Sequence, residues 1–271
     1  MKPRSYSSDD AILAMFDSAK RSIKLAIQDL GPVTIPGTKL PLPGLVWPKA
    51  YMFALGRAIW KTGVRVDIAL SNPRSIPDNL GATEACYGNG WTCVDCASEI
   101  IKTIKIQFPE ADIRSHEFRE MVSRRLRVCY VREKCGMSWK DGTTIGMHAK
   151  HFIFDDVCCY IGSQNLYICD LAEWGVVIDN KEQTKKVLNE YWYPMWGSSY
   201  LGEDCNLKDI MDGLKINRNA KKVLLTPQQA GRVLTKQSFR PGNEFKLLFS
   251  DYLNEELDTP RLKTDGTSLD F

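Results

Sequence analysis

Two apolar runs, residues 147–154 and 157–161, stand on either side of the aspartates Asp155 and Asp156. On a strand the residues of the first run alternate between two faces, and so short a connection makes the two runs arms of one hairpin. Upstream the pattern differs. Ile12, Leu13, Phe16 and Ala19 recur at helical spacing, predicting a helix over residues 8–21 behind a Ser or Asp cap. Ile23, Leu25 and Ile27 alternate and predict a strand over 22–28. Residues 49–61 read as a helix ending at Gly63, and residues 64–70 as a strand with Val64, Val66, Ile68 and Leu70 on one face. Residues 93–108 read as a helix that stops before Pro109, and residues 126–131 as a strand. A strand over 174–178 and a helix over 181–192 complete the regular part. Helices alternating with strands, then strands close together, predict an α/β layered domain: a mixed β-sheet flanked by helices.

After about Gly197 the pattern weakens. The expected division is residues 1–197 as the catalytic half and 198–271 as a C-terminal extension, cap or interface, with a polar tail from about residue 258. Residues 31–48 hold five prolines and three glycines and predict a long loop, and residues 71–91 a second one. No internal repeat occurs. No stretch reaches about 18 apolar residues, so no transmembrane helix is expected. Residues 1–10 are polar and do not read as a signal peptide. The nine cysteines are an odd number and leave compartment open. A net charge of +3 does not suggest a strongly basic nucleic-acid protein.

The hairpin also gathers chemistry. His148 and Lys150 lie two apart and project to the same face of a strand. The return arm carries Ser163 and Asn165 back beside them. An imidazole, an ammonium, a hydroxyl and a carboxamide in one patch suit a phosphate: Lys150 supplies charge, and Ser163 and Asn165 supply donors. A histidine there can attack phosphorus or protonate a leaving oxygen. Glu173, just before the next apolar run, can accept a hydrogen bond from His148 and set its tautomer. Gln28 and Asp29, at the end of the first strand, border the same place.

The spacing H-x-K, four residues, D, six residues, G-S-x-N is filled by His148, Lys150, Asp155, Gly162, Ser163 and Asn165. It resembles the phospholipase D superfamily signature. The resemblance extends over residues 8–195, to one half of a two-motif phospholipase D-like enzyme. It implies that His148 forms a covalent phosphohistidine without metal or cofactor, while a second histidine from another motif copy protonates the leaving group. It also implies that Lys150, Ser163 and Asn165 hold the phosphoryl oxygens, that Asp155 belongs to the catalytic set in a structural role, and that Glu173 orients the histidine. This chain has one copy, so the resemblance implies a homodimer or a second catalytic half.

Other residues carry plainer readings. His151 faces away from His148. Cys93 and Cys96, with Cys86 nearby, read as structural thiols or one disulfide rather than a zinc or redox site. Cys158 and Cys159 read as small buried residues. Trp192 and Trp196, near Tyr191 and Tyr193, read as core or interface rather than a lipid-facing cluster. Arg124, Arg125 and Arg127 read as a solvated helix end. The leading functional expectation is hydrolysis or transphosphatidylation of a phospholipid, with Leu40, Leu42, Leu45, Val46 and Trp47 as an apolar rim for acyl chains and with peripheral membrane contact. The alternatives are a metal-independent nuclease of the same superfamily, which the near-neutral charge disfavours, and an inactive binding or assembly half.

Overall fold

The computed structural model describes residues 7–32, 41, 46–72, 75, 91–134, 136–167 and 173–214. One sheet of six strands organises them, in the order β3-β2-β1-β4-β5-β6. The strands are β1 (Ser22–Ile27), β2 (Arg65–Leu70), β3 (Leu126–Tyr130), β4 (Lys150–Phe154), β5 (Cys158–Gly162) and β6 (Gly175–Ile178). β1, β2 and β3 pair in parallel, because helices connect them and return the chain to the same edge. β4, β5 and β6 add on antiparallel. The sheet is therefore mixed, as the spacing of apolar runs predicts.

Strands β1 to β5 feed two cores. Ile23, Leu25 and Ile27 face a layer built from α1 (Ser7–Ser18), α2 (Lys49–Arg57), α3 (Cys93–Gln107), α4 (His116–Arg125) and α7 (Leu207–Gly213). Ala26, Ala69, Cys129, Ile153 and Cys159 face the opposite layer, where Leu188 and Trp192 sit between α5 (Lys181–Val187) and α6 (Tyr193–Ser199). Val64, Val66, Ile68 and Leu70 share the first core, as expected. α2 continues through a π-helical turn, Ala58–Thr62, and stops at Gly63, whose φ of 74° suits a left-handed C-cap.

Several boundaries depart from expectation. α4 carries only two buried apolar residues, Phe118 and Val122, four apart, so it gave no periodic stripe. Ser115 caps it by accepting from the Phe118 amide at 3.1 Å. The helix at 181–192 runs on through a second π turn, Leu188–Trp192, into α6, so the expected boundary at residue 197 falls inside α6. α7 follows, and its Ile210 and Met211 are buried in the first core. Arg127 is not a helix end. It lies on β3 and forks onto buried Asp67 at 2.6 and 2.7 Å. Its guanidinium also covers Trp196 and Tyr200, which stack with Trp192 as a ladder along α6. Most of the two long loops, and the tail from residue 258, fall outside the described residues. No described helix is long and apolar enough to cross a membrane.

The hairpin turn shows why two aspartates occupy it. Asp155 and Asp156 have φ of 53° and 61°, the positive values that hairpin turns of primed type require and that Asp tolerates. Asp155 then accepts from the amides of Lys20, Arg21 and Ser22 at 2.8, 2.7 and 2.9 Å, tying the turn to the start of β1. Burial raises its pKa, but the bonds from those amides outweigh it and hold the carboxyl below the ordinary carboxylate range. Asp155→Ala is expected to lose about 1–3 kcal/mol, read as a lower melting temperature. A depressed carboxyl contributes above its unfolded pKa. The gap between wild type and variant should therefore be full at neutral pH and shrink as pH falls through the folded pKa.

Candidate functional site

β1 ends at Ile27, opposite Lys150, so β4 begins only at Lys150 and not at residue 147. His148 thereby stands beyond the sheet, exposed, past the carboxyl ends of the parallel strands. That edge is where ligands sit in open α/β sheets. Gln28 continues the strand by donating its amide to the Ala149 carbonyl at 2.9 Å.

Lys150 is only 5% exposed. Its Nζ donates to Gln28 Oε1 at 2.6 Å and to the His148 carbonyl at 3.0 Å. Burial lowers its pKa to about 8, partly offset by Asp29 and Glu173, whose charges favour the ammonium. His148 is also shifted down, by burial first and then by Lys150, so its imidazole is neutral at pH 7 and keeps a lone pair.

Asp29 and Glu173 link Lys150 to the signature's second part. The Asp29 amide donates to Asn165 Oδ1 at 3.3 Å, which orients the buried carboxamide. Glu173 accepts from Ser163 Oγ, and the Trp174 amide donates to the same oxygen at 3.0 Å. Leu166 N to the Asp29 carbonyl, 3.3 Å, and Gly31 N to the Leu166 carbonyl, 3.2 Å, clamp the loop against the end of β1. Gly162 opposes Gly175 under the Tyr160 ring. A Cβ at Gly162 would run into that ring and the Trp174 carbonyl, so only glycine fits there.

His148, Lys150, Ser163, Asn165 and Glu173 thus belong to one region. The hydrogen bond seen for Glu173 runs to Ser163. Asp155 is not among them: it lies at the opposite end of β4 and shapes the turn. His151 points into the second core, against Tyr191 with ring centroids 5.1 Å apart, and burial lowers its pKa to about 4. Cys93 and Cys96 are buried free thiols, not a disulfide, and Cys86 lies outside the described residues. Cys159 is buried, while Cys158 is half-buried. Trp192 is core and Trp196 stacks on it, whereas Tyr193 is exposed. Among the described residues no group of His, Cys, Asp and Glu has the arrangement of a metal site.

Sequence reasoning assigned no role to Gln164. It is buried, and its carboxamide meets Asp9 and Tyr51, partners 155 and 113 residues away that no local pattern could pair with it.

A phosphoryl group placed against these donors would draw its charge neutralisation from Lys150. Affinity for inorganic phosphate, followed by calorimetry, is therefore expected to weaken as pH rises through about 8. A Lys150→Arg protein, which stays cationic, should lose that dependence. An unchanged affinity from pH 7 to 10 in the wild type would contradict it.

No protein-family model matches the chain. It is similar to a phospholipase D of Streptomyces antibioticus, with 25% identity over 188 residues, covering 69% of this chain and 31% of that protein. The chain thus spans about a third of the length of the curated relative it matches. Among solved structures it resembles NucT from Helicobacter pylori, at 17% identity and a TM-score of 0.39, covering 71% of this chain and 89% of that one. It also resembles Nuc from Salmonella typhimurium, described as a phospholipase D family member, at 20% identity and a TM-score of 0.37, with the same coverage. A phosphatidylserine synthase of Haemophilus influenzae gives 12% identity and a TM-score of 0.41, covering 92% of this chain and 43% of that one.

Proposed function

On the premise that the chain belongs to the phospholipase D superfamily, we propose that it is one half of a phosphodiesterase that hydrolyses or transphosphatidylates phospholipids through a phosphohistidine. The observation that carries this reading is the pairing of an exposed, neutral His148 with a buried, cationic Lys150 on one strand end. The neutral imidazole nitrogen attacks phosphorus, forming a P–N bond. The P–O bond to the leaving alcohol breaks, and its electron pair stays on that oxygen. A second histidine, from another copy of the motif, gives the oxygen its proton. Water, or an acceptor alcohol, then attacks phosphorus and loses its proton to that second histidine. The P–N bond breaks and His148 is restored. Lys150 and the Asn165 carboxamide N–H offset the charge on the non-bridging oxygens, and Ser163 joins them when its hydroxyl proton turns from Glu173 to the phosphoryl group.

The single motif needs a partner half, and a homodimer supplies one with no further protein. The lipid reading is favoured over a nuclease by the modest net charge of +3 and by an apolar flank: Trp174, Val176 and Ile161 are exposed beside Ser163. The test offers labelled phosphatidylcholine vesicles and supercoiled plasmid, each with EDTA, to wild type and to a His148→Ala blank. Sedimentation reports the oligomeric state alongside. Choline release by wild type only is the expected result. Plasmid nicking without choline release would replace the lipid reading by the nuclease one. Neither activity, with a monomeric protein, would overturn both.

A further inference from the structure

We propose that Gln164 is a positioning residue that holds Ser163 and Asn165 in register for phosphate through a buried clamp on α1 and α2. The proposal rests on the reading of this site as a phosphoryl site. Ser163 is held by Glu173 and Trp174, and Asn165 by the Asp29 amide. Gln164 lies between them and turns the other way, into the layer of helices. Its Nε2 donates to Asp9 Oδ1 at 2.5 Å, and Ser8 Oγ donates to its Oε1. The Tyr51 hydroxyl sits 3.3 Å from Nε2 and donates to the same Asp9 oxygen at 2.5 Å.

Three features make this more than a satisfied buried amide. First, the clamp shares one acceptor: Asp9 Oδ1 takes both the Gln164 Nε2 bond and the Tyr51 hydroxyl bond, so the three side chains hold one another in place. Second, it cannot relax by proton transfer, because burial and then Asp9 raise the Tyr51 pKa well above its ordinary value and keep it a donor. Third, it joins the loop to two helices that are otherwise remote from the phosphate donors. Successive residues of an extended loop point in opposite directions, so anchoring the middle one fixes the direction of its neighbours. Release of Gln164 would let both donors drift, and a misplacement of about 1 Å in such a group costs on the order of 10²-fold in rate.

The clamp is tested by titrating inorganic phosphate into full-length wild type, Gln164→Leu and Asp9→Asn, well below each protein's melting temperature. Turnover on the substrate identified above is measured in parallel. Asparagine at position 9 still presents an oxygen to Gln164 and Tyr51, so Asp9→Asn should bind within about threefold of wild type and rescue-like behaviour is expected. Gln164→Leu should weaken phosphate by about tenfold and lower kcat by more than it raises KM. A merely structural role predicts a lower melting temperature with phosphate affinity intact in the folded protein, and that result would overturn the clamp. Phosphate binding by wild type without turnover would refute the phospholipase reading alone, and the affinity comparison would still decide the clamp. No phosphate binding by wild type would overturn both.

Discussion

Turnover by the His148→Ala protein is expected to fall about 10⁴-fold or more below wild type, at unchanged melting temperature. A nucleophile cannot be replaced by water at the same position without losing the two-step path, so the residual rate should reflect donors alone. The side chain is exposed and carries no core packing, which is why stability should not move. Quenching with denaturant at alkaline pH, where a P–N bond survives better than in acid, should trap a phosphoryl adduct on wild type and none on the variant. Retention of more than a tenth of wild-type turnover would remove His148 as the nucleophile. The pH profile of kcat/KM supplies a second check, because it reports groups of the free enzyme. Its acid limb should lie below the ordinary histidine pKa, since burial and Lys150 disfavour the imidazolium. Its alkaline limb should fall no higher than about 8, where Lys150 loses its proton, because the second histidine must also still hold one.

The sheet and the heart of the site were legible because both depend on local spacing. Alternation or a short apolar run located each described strand to within three residues, and the two-residue separation of His148 and Lys150 brings the Lys150 ammonium to the His148 carbonyl. What stayed illegible depends on distant partners. Asp9 reads as a helix-start residue, yet its carboxylate serves Gln164 and Tyr51 across the fold. Arg127 reads as part of a charged run, yet on β3 it forks onto the buried carboxylate of Asp67 on the neighbouring strand. α4 escaped because two apolar residues suffice when they drop into an existing core. The start of β4 was set three residues too early because alternation continues after the neighbouring strand has ended.

The segment after α6 escaped for a related reason: beside Ile210 and Met211, a charged residue remote in sequence helps to anchor it. Arg132 follows β3 and is 5% exposed. Its guanidinium grips Asp204 with both nitrogens at 2.5 Å, and it also reaches the Ser199 carbonyl at 2.9 Å and Glu203 at 3.2 Å. Asp204 in turn accepts the Tyr130 amide at 3.0 Å, so the pair joins the end of the sheet to the approach to α7. Arg132→Ala would leave Asp204, itself 7% exposed in its side chain, as an uncompensated buried charge. The expected cost is about 3–5 kcal/mol. For a domain of this size that is a drop of about 6–20 °C in melting temperature, the largest expected from any single change considered. Removing both charges should hurt less than removing one, because no buried ion is left alone. The Arg132→Met, Asp204→Leu double variant should therefore melt above the Arg132→Met single variant. If the double variant instead shows the sum of the two single losses, the pair is not coupled and the segment after α6 is held by Ile210 and Met211 packing alone.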